Sequence, residues 1–250
     1  MGCIYENKLS GCTSLDDLFE IWRHKPAKEI TYLSGKKSIT KVISHGDDFF
    51  ISDGIVNQDV WNSGERKRIL YVLKEAYGTD WGDKTLASWL RIDHPRTRIW
   101  SRIARLTYGM EHSRKDGIAR YKEYLSDSEH AAALDQIAVL NLKKSGGEST
   151  SNYDEIDAYA ASDRNEILAE INLIDPEIIV CGSTFGSLLT KVLCRVPLTD
   201  ETRNDNWYYY MEICGKERLV IDYYHPANRW PDLMNYYGLI GIYQQALLRK

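Results

Sequence analysis

The sequence predicts an α/β fold: a doubly wound, largely parallel central sheet flanked by helices, with a helix-plus-hairpin extension over residues 1–62 and the α/β domain over 63–250. Three apolar runs carry that expectation: the stretch 67–74 containing ILYVL, IAVLNLK at 137–143 and EIIVCG at 177–182. A strand covered on one face alternates apolar and polar residues, whereas a strand covered on both faces reads as a nearly continuous apolar run. The segments between the runs carry helical spacing, and strands alternating with helices build a parallel sheet.

In chain order, SLDDLFEIW (14–22) places Leu15, Leu18, Phe19 and Trp22 at helical spacing behind a capping Ser14. KSITKVISHGDDFFISDG (37–54) reads as two strands around a Gly46-Asp47-Asp48 turn. Residues 85–133 read as helical and charged, interrupted at His94-Pro95-Arg96. After the second apolar run comes a polar loop, 144–154, rich in Gly, Ser and Thr and so flexible or ligand-facing. A helix over 155–173 carries Ile156, Tyr159, Ala160, Ile167, Leu168 and Ile171. Pro176 leads in the third run. WYYYMEI (207–213) and RLVIDYY (218–224) flank Cys214-Gly215-Lys216-Glu217 as a hairpin, and a helix over 231–249 closes the chain.

At 43% hydrophobic and 27% charged residues the composition supports a sizeable core. No run of roughly 18 apolar residues is present, so no membrane span is expected. The opening MGCIYENKLSGC lacks an apolar stretch, so a secretory signal is not expected, and the five cysteines without a disulfide framework make a reducing, cytoplasmic setting the expectation. Cys3, Cys12, Cys181, Cys194 and Cys214 are scattered and include no CxxC pair, which argues against a disulfide framework and against a four-cysteine metal site. No metal and no cofactor are expected. A net charge of -4 means that any nucleic-acid contact must use a local patch.

In open α/β sheets ligands collect beyond the carboxyl ends of the strands. The residues there are Glu75-Ala76-Tyr77-Gly78, Asn141 with the loop behind it, Gly182-Ser183-Thr184, and His225-Pro226-Ala227-Asn228. Each has a plain reading. Glu75 pairs with a lysine at the sheet edge, Asn141 bridges two loops, His225 is a structural hydrogen-bonder, and Gly182-Ser183 is a helix-start turn. Asn141 stands out because a buried amide left unbonded costs about 1–3 kcal/mol. His225 stands out because the following proline fixes a rigid exit from its strand.

The order KEAYG, VLNLKKSGG, PEIIVCG and YYHPANRW resembles the uracil-DNA glycosylase superfamily over roughly residues 66–245. KEAYG is similar to the first motif of that family's iron–sulfur-containing branch, VLNLKK to the strand ending in a base-reading asparagine, and YYHPANR to the second motif. The departures are specific. Tyr77 stands where that first motif has proline, and the four cluster cysteines are absent, so no iron–sulfur cluster is implied. Asn228, Arg229 and Trp230 stand where a small and an apolar residue usually follow His-Pro.

The resemblance implies hydrolysis of an N-glycosidic bond through an oxocarbenium-like sugar. Glu75 would position the water and favour the sugar cation, and His225 would donate a hydrogen bond to the pyrimidine O2 as charge grows there, worth about 3 kcal/mol. Asn141 would read the O4 and N3–H edge of uracil, with Ala76, Tyr77 and Gly78 completing the base pocket. Tyr77 would close over the ring or block its 5-position. The partner would be single- or double-stranded DNA, or a nucleotide-like ligand, with the base flipped out and Arg229 or Trp230 filling the gap. Arg91, Arg96, Arg98, Arg102 and Arg105 read plainly as a solvated helix face. Read functionally, they form a phosphate patch around Arg96 and Arg98 with Trp100 as aromatic companion. Lys143 and Lys144 would add a further phosphate contact. Two other readings stand beside the glycosylase: a glycosylase-like module that binds a base or nucleotide without turnover, and a doubly wound protein working on another small molecule.

Overall fold

A computed structural model describes residues 2–46, 50–78, 81, 85–147, 150–197 and 207–249. The chain opens with α1 (Gly2–Ser10) and α2 (Leu15–Arg23), whose Ser14 cap accepts from the Asp17 N–H. A hairpin follows, β1 (Lys28–Ser34) and β2 (Lys37–Ile43), then the short β3 (Gly54–Ile55) and α3 (Gln58–Asn62). The central strands are β4 (Ile69–Tyr77), β5 (Ile137–Gly147), β6 (Ile178–Gly182) and β8 (Lys216–Tyr223), with β7 (Tyr208–Ile213) between the last two in sequence. Between β4 and β5 run α4 (Leu86–Asp93), α5 (Arg98–His112) and α6 (Asp127–Asp135). Between β5 and β6 run α7 (Tyr153–Ser162) and α8 (Arg164–Ile174). The three-residue α9 (Phe185–Ser187) passes into a π turn, Leu188–Val192, and α10 (Asp232–Arg249) ends the chain.

The main sheet has the order β3-β5-β4-β6-β8-β7. Its four inner strands are parallel, and the edge strands β3 and β7 pair antiparallel with β5 and β8. The expected mixed α/β architecture with a largely parallel sheet is therefore present. Both faces are covered, which is why the strands read as unbroken apolar runs. On one face Ile69, Tyr71, Leu73, Ile137 and Val139 pack against residues of α4, α5, α6 and α10. On the other Leu70, Val72, Ala138, Leu140 and Leu142 pack against residues of α2, α3, α7 and α8. The chain leaves β4 for β5 on one side and later returns to β6 on the other, so strand order reverses at β4, where such sheets leave a crevice. Among the described residues no helix is long and apolar enough to cross a membrane.

Parts of the first 62 residues are built into this core. Leu18, Phe19, Trp22 and Trp61 join the α7/α8-side cluster, and β3 extends the sheet. One expectation here is corrected: 37–43 pairs with 28–34, through a turn at Gly35 and Lys36, and not with the run after Gly46. Gly35 takes φ +62, which a side chain disfavours, so it supplies the tighter turn. Asp47 and Asp48 lie outside the described residues. Residues 50–54 instead lead into the main sheet, with Phe50 bridging Ser145 and Gly54 and Ile55 opposite Val139 and Ala138.

Two further boundaries differ from expectation. The helix expected over 155–173 breaks at Asp163, whose buried carboxylate is drawn onto Lys25 at 2.9 Å and His45 at 3.0 Å. The polar loop expected from 144 begins as strand, because β5 runs on to Gly147 beside β4.

Candidate functional site

The carboxyl ends of β4, β5 and β8 surround a cavity of about 810 Å³, within the range of small-molecule sites. Glu75, Ala76, Tyr77, Gly78, Asn141 and His225 all line it. Residues expected to meet from three separated motifs thus share one cavity.

The end of β4 is shaped by a bulge. Glu75 lies opposite Lys143, but Tyr77 lies opposite Gly147, so β5 advances from 143 to 147 while β4 advances from 75 to 77. Gly78 closes the turn at φ +85 and donates its N–H to the Gly147 carbonyl at 3.2 Å. A Cβ at Gly147 would collide with Cδ of Glu75, so the bare backbone there makes room for that side chain. The Glu75 carboxylate lies against that bare backbone, and its Oε2 accepts from Lys143 Nζ at 2.7 Å. Tyr77 lines the cavity while 73% exposed, which puts it at the opening.

Asn141 is 1% exposed. Asp53 Oδ2 accepts from both its backbone N–H, at 2.6 Å, and its side-chain Nδ2, at 3.2 Å. The other amide atom, Oδ1, has no hydrogen-bond partner among the described residues. Asp53 was missed in the sequence, where it falls at the end of the run 37–54 read as two strands.

His225 leaves β8 into a tight turn. Its backbone N–H donates to Ser183 Oγ at 2.9 Å, and its ring Nδ1 accepts from the Ala227 N–H at 3.1 Å. An accepting Nδ1 places the proton of the neutral ring on Nε2. Burial, with the Lys74 charge adding to it, holds the imidazole down at about 4, so it is neutral near pH 7. Ser183, expected to be a plain helix-start turn, therefore also anchors the histidine backbone. Gly182 beneath it lets Pro226 pack close, since a Cβ there would lie 3.2 Å from Pro226 Cδ.

Aromatic rings complete the cavity. Trp81, Trp89 and Trp100 line it in an edge-to-face chain, with centroids 5.6 and 6.3 Å apart. Tyr153 lines it as well, with Lys74 Nζ 4.9 Å from its ring centroid. Such a cavity suits a flat, partly polar heterocycle. Trp100 is corrected here: it is buried in the core and lines the cavity, and is not a surface companion to a phosphate patch.

The expected nucleic-acid contacts divide. Lys144 is fully buried, with Nζ 2.5 Å from Asp53 and 2.7 Å from Glu170, and so is withdrawn from any phosphate. Lys143 is buried as well, held by Glu75 and, at 3.6 Å, by Glu155. Both corrections have one cause: β5 continues past 143, so these lysines lie inside the protein and not on a surface loop.

Arg96 and Arg98 are exposed but internally engaged, Arg96 with Asp127 at 2.7 Å and Arg98 with the Asn228 carbonyl at 2.8 Å. Arg102, expected on the same face, is only 4% exposed. It fans out to Asp232 at 2.5 Å and to the carbonyls of Pro226 (2.8 Å), Asn228 (2.6 Å) and Trp230 (2.7 Å). Arg105 pairs with the same Asp232. These arginines clamp the loop carrying His225. Asn228 serves that loop from inside, bonding His225 O at 2.9 Å and Asn235 Oδ1 at 2.6 Å. Arg229 and Trp230 remain on the surface, Trp230 at 55% exposure.

Among the described residues no group of three His, Cys, Asp or Glu is placed to hold a metal ion. Fold and site together define an α/β protein with an aromatic strand-end cavity containing a paired carboxylate, an oriented amide and a neutral imidazole. No protein-family model matches the chain, and no curated protein matches it.

Proposed function

We propose that the protein is a DNA glycosylase of uracil-DNA glycosylase-like fold, hydrolysing the N-glycosidic bond of uracil or a related damaged base. The supporting observation is that Glu75, Asn141 and His225 line one aromatic cavity, with His225 neutral and its ring proton on Nε2. The flipped base stacks among Trp81, Trp89 and Trp100. Asn141 Oδ1 accepts the N3–H, and the amide hydrogen not given to Asp53 meets O4. As the bond from C1′ to the base nitrogen breaks, its electrons pass to the base, and His225 Nε2–H donates to the O2 where the charge collects. A preorganised donor of this kind contributes about 100- to 1,000-fold in rate. The Lys74 cation favours the same anion. Glu75 stabilises the cationic sugar and orients the water that adds to C1′, and the proton that this water loses passes through solvent to the departed base anion.

The test is release of base from uracil-containing single- and double-stranded oligonucleotides. Abasic product that disappears in Glu75→Gln and falls at least 100-fold in His225→Leu supports the reading. Wild-type protein that yields no abasic product on either substrate defeats it.

One observation favours a second reading, a module that binds the base without turnover. Glu75 is buried and already paired with Lys143, which diminishes the field it can place on a sugar cation. That reading predicts nucleotide binding that depends on Asn141, with no product at any enzyme concentration.

A further inference from the structure

The Asn141 side chain is held in one orientation by a buried charge cluster reaching the site from the N-terminal segment. Asp53 Oδ2 faces the Asn141 amide nitrogen, and Asp53 Oδ1 accepts from Lys144 Nζ at 2.5 Å. Lys144 also meets Glu170 Oε2 at 2.7 Å. The rings of Trp22 and Phe19 close over the ammonium, with centroids 5.1 and 5.4 Å from Nζ. Burial alone would lower the Lys144 amine, but Asp53 and Glu170 outweigh it, so the cation persists. Burial and the neighbouring Asp53 push Glu170 well up against the pull of Lys144, while Asp53 accepts on both oxygens, from Lys144 on one and from the Asn141 backbone N–H and Nδ2 on the other.

The segment carrying Asp53 is pinned on both sides. The Ile51 N–H donates to the Lys144 carbonyl at 2.6 Å, and the Ser52 carbonyl accepts from the first N–H of α4 at 2.8 Å. Gly54, at φ +99, leaves room for Leu15 Cδ1, which would lie 3.0 Å from a Cβ.

A carboxylate accepts and never donates. Turning the Asn141 amide over would set its oxygen against Asp53 Oδ2 and strand the Nδ2 donors, so one rotamer is selected. The oxygen that remains unpartnered belongs to a residue lining the cavity. We infer that Asp53 is a specificity-determining residue: held by Lys144, it fixes the Asn141 amide so that Oδ1 is offered to the ligand. The cavity then selects ring systems presenting an N–H beside a carbonyl, and rejects those presenting a bare ring nitrogen beside an amino group. This rests on Asn141 being the ligand-reading residue of the proposed function, and it gives the N-terminal segment a part in the site.

The inference is tested with Asp53→Asn. The introduced amide has one oxygen, which cannot serve Lys144 on one side and the Asn141 backbone N–H and Nδ2 on the other, so the Asn141 amide is no longer held in one rotamer. Affinities for 2′-deoxyuridine and 2′-deoxycytidine are measured by titration on wild type and variant, together with hydrogen exchange at Asn141 Nδ2. The expected result is a preference for deoxyuridine of at least tenfold in wild type, falling at least tenfold in the variant, with faster Nδ2 exchange. Glu170→Gln, which leaves Asp53 in place, keeps the wild-type ratio. Should Asp53→Asn fail to fold, the double variant Asp53→Leu/Lys144→Met removes both partners and brings the ratio within a few-fold of one. A ratio unchanged in a folded variant overturns the role of Asp53 and leaves the proposed function standing. If wild type binds neither nucleoside, the pocket reading fails, and unchanged Nδ2 exchange in the variant then overturns the orienting role separately.

Discussion

Lys143 and Glu75 stand in register on neighbouring parallel strands, and the ammonium of one lies 2.7 Å from the carboxylate of the other. Both are buried, so each depends on the other for the loss of water. Lys143→Met leaves an unpaired buried carboxylate and is expected to cost about 3 kcal/mol in denaturant unfolding. Lys143→Arg keeps the charge and loses less. If base release collapses in Lys143→Met beyond what the unfolded fraction explains, the pair sets the Glu75 geometry; equal loss of stability and rate reduces it to a structural role.

Gly147 makes room for that pair. Gly147→Ala puts a methyl group into the space of the Glu75 side chain and must displace it. The expected outcome is a loss of about 1–3 kcal/mol together with base release at the level of Glu75→Gln. Wild-type kinetics in a folded Gly147→Ala protein would show that Glu75 is not held there for catalysis.

His225 should be neutral through the physiological range. Nitrogen NMR is expected to show the Nε2–H tautomer at pH 6 and a titration midpoint of about 4. An unfolded histidine takes up its proton near 6.5. Between about 4 and 6.5 the unfolded state therefore binds the extra proton, and this group's contribution to stability grows as pH rises through that window. A His225→Leu protein should lack that part of the acid sensitivity. A midpoint at 6.5 in the folded protein would remove the basis for a neutral donor.

Arg102 is the clamp of the His225 loop, bonding three carbonyls and Asp232. Arg102→Met leaves those acceptors unmatched and should cost about 3–5 kcal/mol. Arg102→Lys, with a point charge in place of a planar fork, should recover only part of it. The accompanying sign is a loosened loop, read as faster amide exchange at Ala227 and Asn228. Unchanged exchange there would show that the loop holds itself.

The parts legible in the sequence were those set by local pattern and by the two-sided burial of a parallel sheet. Unbroken apolar runs located β4, β5 and β6, and the strand ends located Glu75, Asn141 and His225. Pairing was less legible. KEITYLS, at 28–34, alternates too weakly to stand out, and Gly35 competed with a Gly-Asp-Asp sequence that looked the better turn.

Charge was the least legible of all. A lysine after an apolar strand looks the same whether it meets solvent or a carboxylate distant in sequence. Lys144 meets Asp53 and Glu170, and Arg102 meets a loop more than 120 residues further on. Spacing along the chain carries no information about such partners. By itself the sequence determined the buried strands β4, β5 and β6 and singled out Glu75, Asn141 and His225, because periodicity is a local property, although β5 runs past Asn141 to Gly147. Only the tertiary structure decided that Lys143, Lys144 and Arg102 face inward, that the tryptophans line the cavity, and that Asp53 meets the Asn141 amide. Those outcomes depend on which distant groups become neighbours once water is excluded.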